Sequence, residues 1–190
     1  IEQMGNFKIE QISSIVGKIF DEKLKLQSLI SLCALLENFL PERQNYSEVY
    51  IATSAFLNLL AINEGDINNQ WLKGYVKWEI GLLSSIGFSL DLKKCAVTGN
   101  TNDLCYVSPK TGKAVSKDGA GKFAPKLLKL PFFLGGTEIK GSNIYEEILI
   151  GLNITTYFFK NKLLLSINET KLMTLPISRN RFVDLINKYK

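Results

Sequence analysis

Eight lysines stand between positions 93 and 129 of this 190-residue chain, with only two acidic residues among them. They are Lys93, Lys94, Lys110, Lys113, Lys117, Lys122, Lys126 and Lys129, set against Asp103 and Asp118. A second excess closes the chain, where residues 160 to 190 carry seven basic and two acidic groups. The rest leans the other way: residues 1 to 92 hold seven basic and eleven acidic groups, and 130 to 159 one and three, so the formal charge of +5 conceals two basic blocks. Ammonium groups at this density suit an anionic partner, either nucleic acid or an acidic peptide. The same lysines also read as a solvated face in a chain rich in Lys, Asn and Ile, and composition leaves both readings open.

Bond-breaking chemistry has little to work with. Histidine is absent, which removes the usual general base near neutral pH and the commonest nitrogen ligand for metals. No glycine-rich loop ends in Lys-Ser or Lys-Thr, no GxGxxG follows a strand, and Gly135-Gly136 is a bare pair in a loop. Glu79, Asp91 and Asp103 read as a helix-surface group, a loop cap and a turn residue; no spacing brings carboxylates into one cleft. Cys33, Cys95 and Cys105 cannot all pair within one molecule, which fits a reducing cytosol. The longest apolar stretch, Ser28 to Leu36, is far shorter than the roughly 20 residues that span a bilayer. The sequence therefore predicts no enzyme, no cofactor, no metal and no membrane segment.

The elements that carry these residues are mostly helices. From Lys8, Ile9, Ile12, Ile15, Val16, Ile19 and Phe20 recur at helical spacing; Leu24 to Phe39 is apolar around most of its circumference, and Pro41 stops it. Asn45 with Glu48 resembles a capping box for a third helix through Leu60, and Gly65-Asp66 punctuates the next turn. A fourth helix from about Asn68 to Ile86 buries Trp71, Leu72, Tyr75, Trp78, Leu82 and Leu83, with Gly87 as its left-handed stop. The pattern changes at Asp91. Cys95 to Gly99 reads as a knuckle, and Leu104–Ser108 and Lys113–Ser116 as strands joined by a Pro109-Lys110-Thr111-Gly112 turn. A short helix is expected over Phe123 to Lys129, a longer one opened by the Asn143/Glu146 capping pattern through Phe158, and a last one from Arg179 to Lys188. The fold class is mainly α, a helical bundle with a small β-hairpin insert.

Within this frame one string is specific. Tyr75 to Gly99, YVKWEIGLLSSIGFSLDLKKCAVTG, resembles the RecO family, in which a helix with an aromatic-Glu pattern ends in Gly-aromatic, passes Leu-Asp-Leu and enters a Cys-x-x-Cys-Gly knuckle. Tyr106 to Val115, YVSPKTGKAV, resembles the family's hairpin; Leu152 to Phe158, LNITTYF, and Leu175 to Phe182, LPISRNRF, resemble its closing segments, particularly in alphaproteobacterial members. The resemblance runs from about Gly5 to the end. It implies that residues 1–7 are a seam from an OB-fold domain that is absent here, that 8–190 form the helical C-terminal domain, and that 91–119 are its knuckle and hairpin.

The resemblance also implies what each part would do. Many members hold zinc on two Cys-x-x-Cys pairs; here Cys95 stands at the first ligand position, Thr98 at the second, Ser116 at the third and Gly119 at the fourth, and Cys105 is extra. Structural zinc wants four such ligands, so Leu104, Tyr106, Val107 and Val115 are expected to hold the hairpin in its place. The parent protein would load recombinase, together with RecR, onto single-stranded DNA coated by the single-stranded-DNA-binding protein. It would also anneal strands, working in the cytoplasm at the nucleoid. The eight lysines would hold DNA phosphates, while Lys73, Lys77 and Trp78, with Arg179 and Arg181, would receive the acidic tail of the single-stranded-DNA-binding protein. The alternative is a helical protein-interaction domain with no direct DNA role.

Overall fold

The computed structural model describes residues 8, 10–11, 14–62, 69–138, 140–163 and 174–190. Its frame is helical: α1 (Val16–Ile19), α2 (Lys23–Phe39), α3 (Ser47–Leu60), α4 (Gln70–Ser85), α5 (Lys117–Ala120), α6 (Ile144–Phe158) and α7 (Ile177–Asn187). Three short strands, β1 (Leu104–Val107), β2 (Ala114–Ser116) and β3 (Leu128–Lys129), form an antiparallel sheet in the order β2-β1-β3.

α4 is the hub because a glycine of its own and one of α6 let neighbours approach from two sides. A Cβ at Gly74 would come within 2.8 Å of Leu59 on α3, and one at Gly151 on α6 would come within 2.8 Å of Val76 on α4. At both positions glycine lets the helices come this close without displacing those side chains. Leu72, Tyr75, Val76, Leu82 and Leu83 of α4 are fully buried between them. α7 lies on α2 and α6, the Gln27 side chain of α2 donating to the Ser178 carbonyl at 2.9 Å, and its Phe182 meets Tyr75 of α4 edge-on with ring centroids 4.6 Å apart.

α2 is less uniformly apolar inside than its leucines suggest. Ser28 and Ser31 are fully buried: Ser28 donates to the Lys25 carbonyl, and the Ser31 and Tyr75 hydroxyls pair at 2.6 Å. A buried hydroxyl costs free energy unless it is paired, and each of these has a partner in reach. At the helix start, Lys25 is likewise buried, bonded to Glu22 at 2.9 Å and to the Ile62 carbonyl at 3.2 Å.

Some expected elements differ. The first helix covers only Val16–Ile19; residues 8, 10, 11 and 14 are not helical, while Ile9 and Ile12 lie outside the described residues. So do residues 1–7 and the Gly65-Asp66 turn. Asn45 does not cap through Glu48: its side-chain oxygen accepts the Ser47 N–H and hydroxyl, a tighter turn that starts α3 at Ser47. Asn143 does cap α6, accepting the Glu146 N–H at 2.9 Å, and Gly87 takes φ +95° after α4.

The expected helix over Phe123 to Lys129 is replaced by a 3-10 helix over Gly121–Lys126 and then β3. Pro125 lacks an N–H and biases the residue before it away from α geometry, while the free edge of β1 offers Leu128 and Lys129 a ladder.

Candidate nucleic-acid interface

The knuckle is built on one sulfur atom. Asp91 opens a run beside β2: its N–H donates to the Gly112 carbonyl at 3.1 Å, and its carbonyl accepts the Ala114 N–H at 2.8 Å. Five residues later the Ala96 N–H reaches the Ala114 carbonyl, and the chain curls around the buried side chain of Cys95. Cys95 Sγ accepts hydrogen bonds from the N–H groups of Val97 and Thr98 at 3.4 Å, from the Ser116 N–H at 3.2 Å and from the Ser116 hydroxyl at 3.3 Å. The Thr98 and Ser116 hydroxyls are 3.4 Å apart, Gly119 N–H donates to Ser116 Oγ at 3.2 Å, and a Cβ at Gly119 would lie 3.0 Å from the sulfur. The four positions 95, 98, 116 and 119 thus converge.

What converges there does not fit zinc. One thiol, two hydroxyls and a glycine supply neither four ligands nor the soft donors such a site needs, and Gly119 has no side chain at all. Among the described residues no group of three His, Cys, Asp or Glu could hold a metal ion. The hydrogen bonds do the closing. Burial resists ionisation of Cys95, but the hydroxyl and N–H of Ser116 and then those of Thr98 outweigh it and lower the thiol from 9.0 to about 6. Leu104, Val107 and Val115, all buried, and Tyr106, half-buried against the core, secure the hairpin as expected.

All eight candidate lysines of residues 93–129 are exposed. Their order in space follows from the pairing. Lys93 and Lys94 lie on the run beside β2, and Lys110 and Lys113 on the turn that joins β1 to β2, where Gly112 takes φ +69°. Lys117 starts α5 at the opposite end of the hairpin, its N–H bonded to the Asp103 carbonyl. The chain then returns along the sheet through Lys122 and Lys126, so that Val107 pairs with Leu128 and Tyr106 with Lys129. Lys126, two residues before that pairing, comes back to the end of the sheet that carries Lys110 and Lys113. The eight exposed lysines are thus distributed along the three-stranded sheet and the segments that lead into and out of it, a basic ribbon along the chain.

The second expected site is divided. Lys77 is exposed on α4 and Lys73, one turn earlier, is half-buried; Arg181 is exposed on α7. Trp78 and Arg179 are turned inward. The Trp78 indole N–H donates to the Thr53 hydroxyl at 3.0 Å and the residue is 4% exposed, so it offers no apolar floor beside Lys77. Arg179 is 1% exposed and cannot meet an incoming tail, because it is committed to Glu79, which is fully buried and not a helix-surface group.

Arg179 Nε lies 2.8 Å and its Nη2 3.0 Å from the two Glu79 carboxylate oxygens, a two-point clasp between α7 and α4. Around it, Thr155 hydroxyl donates to Glu79, Arg179 donates to Thr156 Oγ1 at 2.8 Å and to the Leu152 carbonyl at 3.3 Å, and its guanidinium lies 5.8 Å from the Phe159 ring centre. Burial would depress the Arg179 pKa, but the Glu79 charge overrides it and raises the value. Tyr75 is pushed well above 10.0, first by burial and then by Glu79. The signal for this cluster lay in the neighbours: Glu79 shares its helix face with Tyr75, Val76, Leu82 and Leu83, an apolar stripe that no surface carboxylate should join.

A family model described as "Recombination protein O C terminal" matches residues 24–171. This chain belongs to the RecO family. It is 36% identical over 188 residues to the "DNA repair protein RecO" of Rhodospirillum rubrum, an alignment covering 99% of this chain and 73% of that protein. To the protein of the same name from Ruegeria sp. it is 39% identical over 185 residues, with 97% and 72% covered, and to that from the Drosophila simulans Wolbachia 35% identical over 187, with 97% and 75% covered. These RecO proteins carry the name of a repair function and not of an enzyme. No solved structure matches the chain. No described helix is long and apolar enough to cross a membrane.

Proposed function

We propose that this RecO-family chain serves DNA repair as a non-enzymatic recombination mediator, and that its knuckle and hairpin hold single-stranded DNA by the phosphates. Membership of the family supports the repair role. The observation that carries the finer reading is the basic ribbon: eight exposed lysines on one sheet and its connections, open to a polyanion. In this role the protein helps to load recombinase, with RecR, onto strands coated by the single-stranded-DNA-binding protein, and promotes annealing. Lys73, Lys77 and Arg181 are the remaining cations for that protein's acidic tail. Such work belongs in the cytoplasm, at the nucleoid.

A salt titration tests it. Binding of a labelled single-stranded oligonucleotide should weaken steeply with salt, log K falling against log salt by about 0.7 per phosphate contacted. Absence of binding at low salt would leave the lysines as a solvated face and favour a protein-interaction domain.

A further inference from the structure

Most of the ribbon's exposed groups are charged or small, and Phe123 is neither. It sits in the 3-10 helix between Lys122 and Lys126 and is 56% exposed, while its neighbours Ala124 and Leu127 make the inward contacts with the core. Other large apolar side chains are exposed elsewhere on the molecule, Phe20, Tyr50 and Phe132 among them, and what sets Phe123 apart is its place among the lysines. Its surroundings name the chemistry. Lys122 Nζ lies 5.6 Å from the ring centre, over the aromatic face, and Lys117, Lys126 and Lys129 flank it along the chain. The backbone beneath is stiff: Pro125 fixes one φ inside the turn, and the Leu127 N–H closes it on the Ala124 carbonyl.

We propose that Phe123 is a base-stacking platform, on which one unpaired base of a single-stranded nucleic acid lies while the flanking lysines hold the phosphates on either side. The inference rests on the reading of the ribbon as a phosphate-binding surface, and it adds a contact of a different kind. An aromatic face set in a cationic track accepts any base, because every base has a π-face, and the ammonium on the ring strengthens the stack. A duplex, whose bases are already stacked on each other, would gain only the phosphate contacts.

The test is a comparison of slopes and strands. The chain, Phe123→Ala and Phe123→Trp are titrated with a single-stranded oligonucleotide over a range of salt, and with a strand of equal length made of abasic residues. Phe123→Ala should weaken binding about tenfold at every salt concentration while leaving the salt slope unchanged, because no phosphate contact is lost. Phe123→Trp should bind at least as tightly as the wild type. The wild type should bind the abasic strand about tenfold more weakly than the natural one, and Phe123→Ala should not distinguish them. Salt-sensitive binding that is equal in wild type and Phe123→Ala would overturn the stacking role and leave the phosphate reading intact. If the wild type binds neither strand at low salt, both readings fall together.

Discussion

Glu79 and Arg179, one hundred residues apart in sequence, form a buried two-point ion pair that fastens the last helix to the centre of the bundle. Removing one partner leaves an uncompensated charge in the interior. Arg179→Met should therefore destabilise the chain by about 3–5 kcal/mol, measured as a shift in denaturant midpoint, with Glu79→Leu similar. The double replacement should be less damaging than the two losses added together, because no lone charge remains. Additive losses would mean that the pair is not a coupled unit.

The Cys95 thiol gives the stability a pH signature. Its pKa falls from 9.0 to about 6 on folding, so between these values the unfolded chain holds a proton that the folded chain has released. Stability should rise with pH across that window and lose this contribution as pH falls towards 6. Cys95→Ala should flatten the rise. Parallel curves for wild type and variant, from denaturant melts at half-unit steps, would show that the sulfur is not the titrating group.

Charge reversal of Lys117, Lys122 and Lys126 together should abolish oligonucleotide binding with little change in melting temperature, since all three are exposed. Retained affinity with an unchanged salt slope would exclude this stretch from the interface.

Lys77→Glu should alter stability by about 0.5 kcal/mol or less and weaken an acidic, Phe-terminated peptide roughly tenfold, about 1.4 kcal/mol. Peptide binding equal to that of the wild type in low salt would move the tail's contact from Lys77 to the basic groups around Arg181.

The parts of this molecule legible in its sequence are those where local pattern and tertiary need agree. The apolar run of α2, the Asn143 cap, Gly87 and the Pro109–Gly112 turn each specify their own conformation. Leu128–Lys129 reads as helix in the sequence because two residues cannot announce a strand; the open edge of β1 makes them one. Trp78 reads from the helical stripe as a core residue, as it is; Arg179 reads as a surface cation because an arginine can serve either place, and only its partner Glu79 decides it. The convergence of Cys95, Thr98, Ser116 and Gly119 was legible through the family resemblance alone, since nothing in a threonine or a glycine signals a shared centre.

The position of α7 has a consequence for how the bundle is made. Its partners on α2 and α4 lie some 150 and 100 positions earlier, as the Gln27–Ser178 and Glu79–Arg179 bonds record. A chain emerging from the ribosome exposes the Glu79 carboxylate and the flank of α2 until the final helix arrives. Contacts this distant close late and slowly. The core is therefore completed only once α7 has been made, and a nascent chain arrested before Arg179 should be a ready substrate for proteases and chaperones.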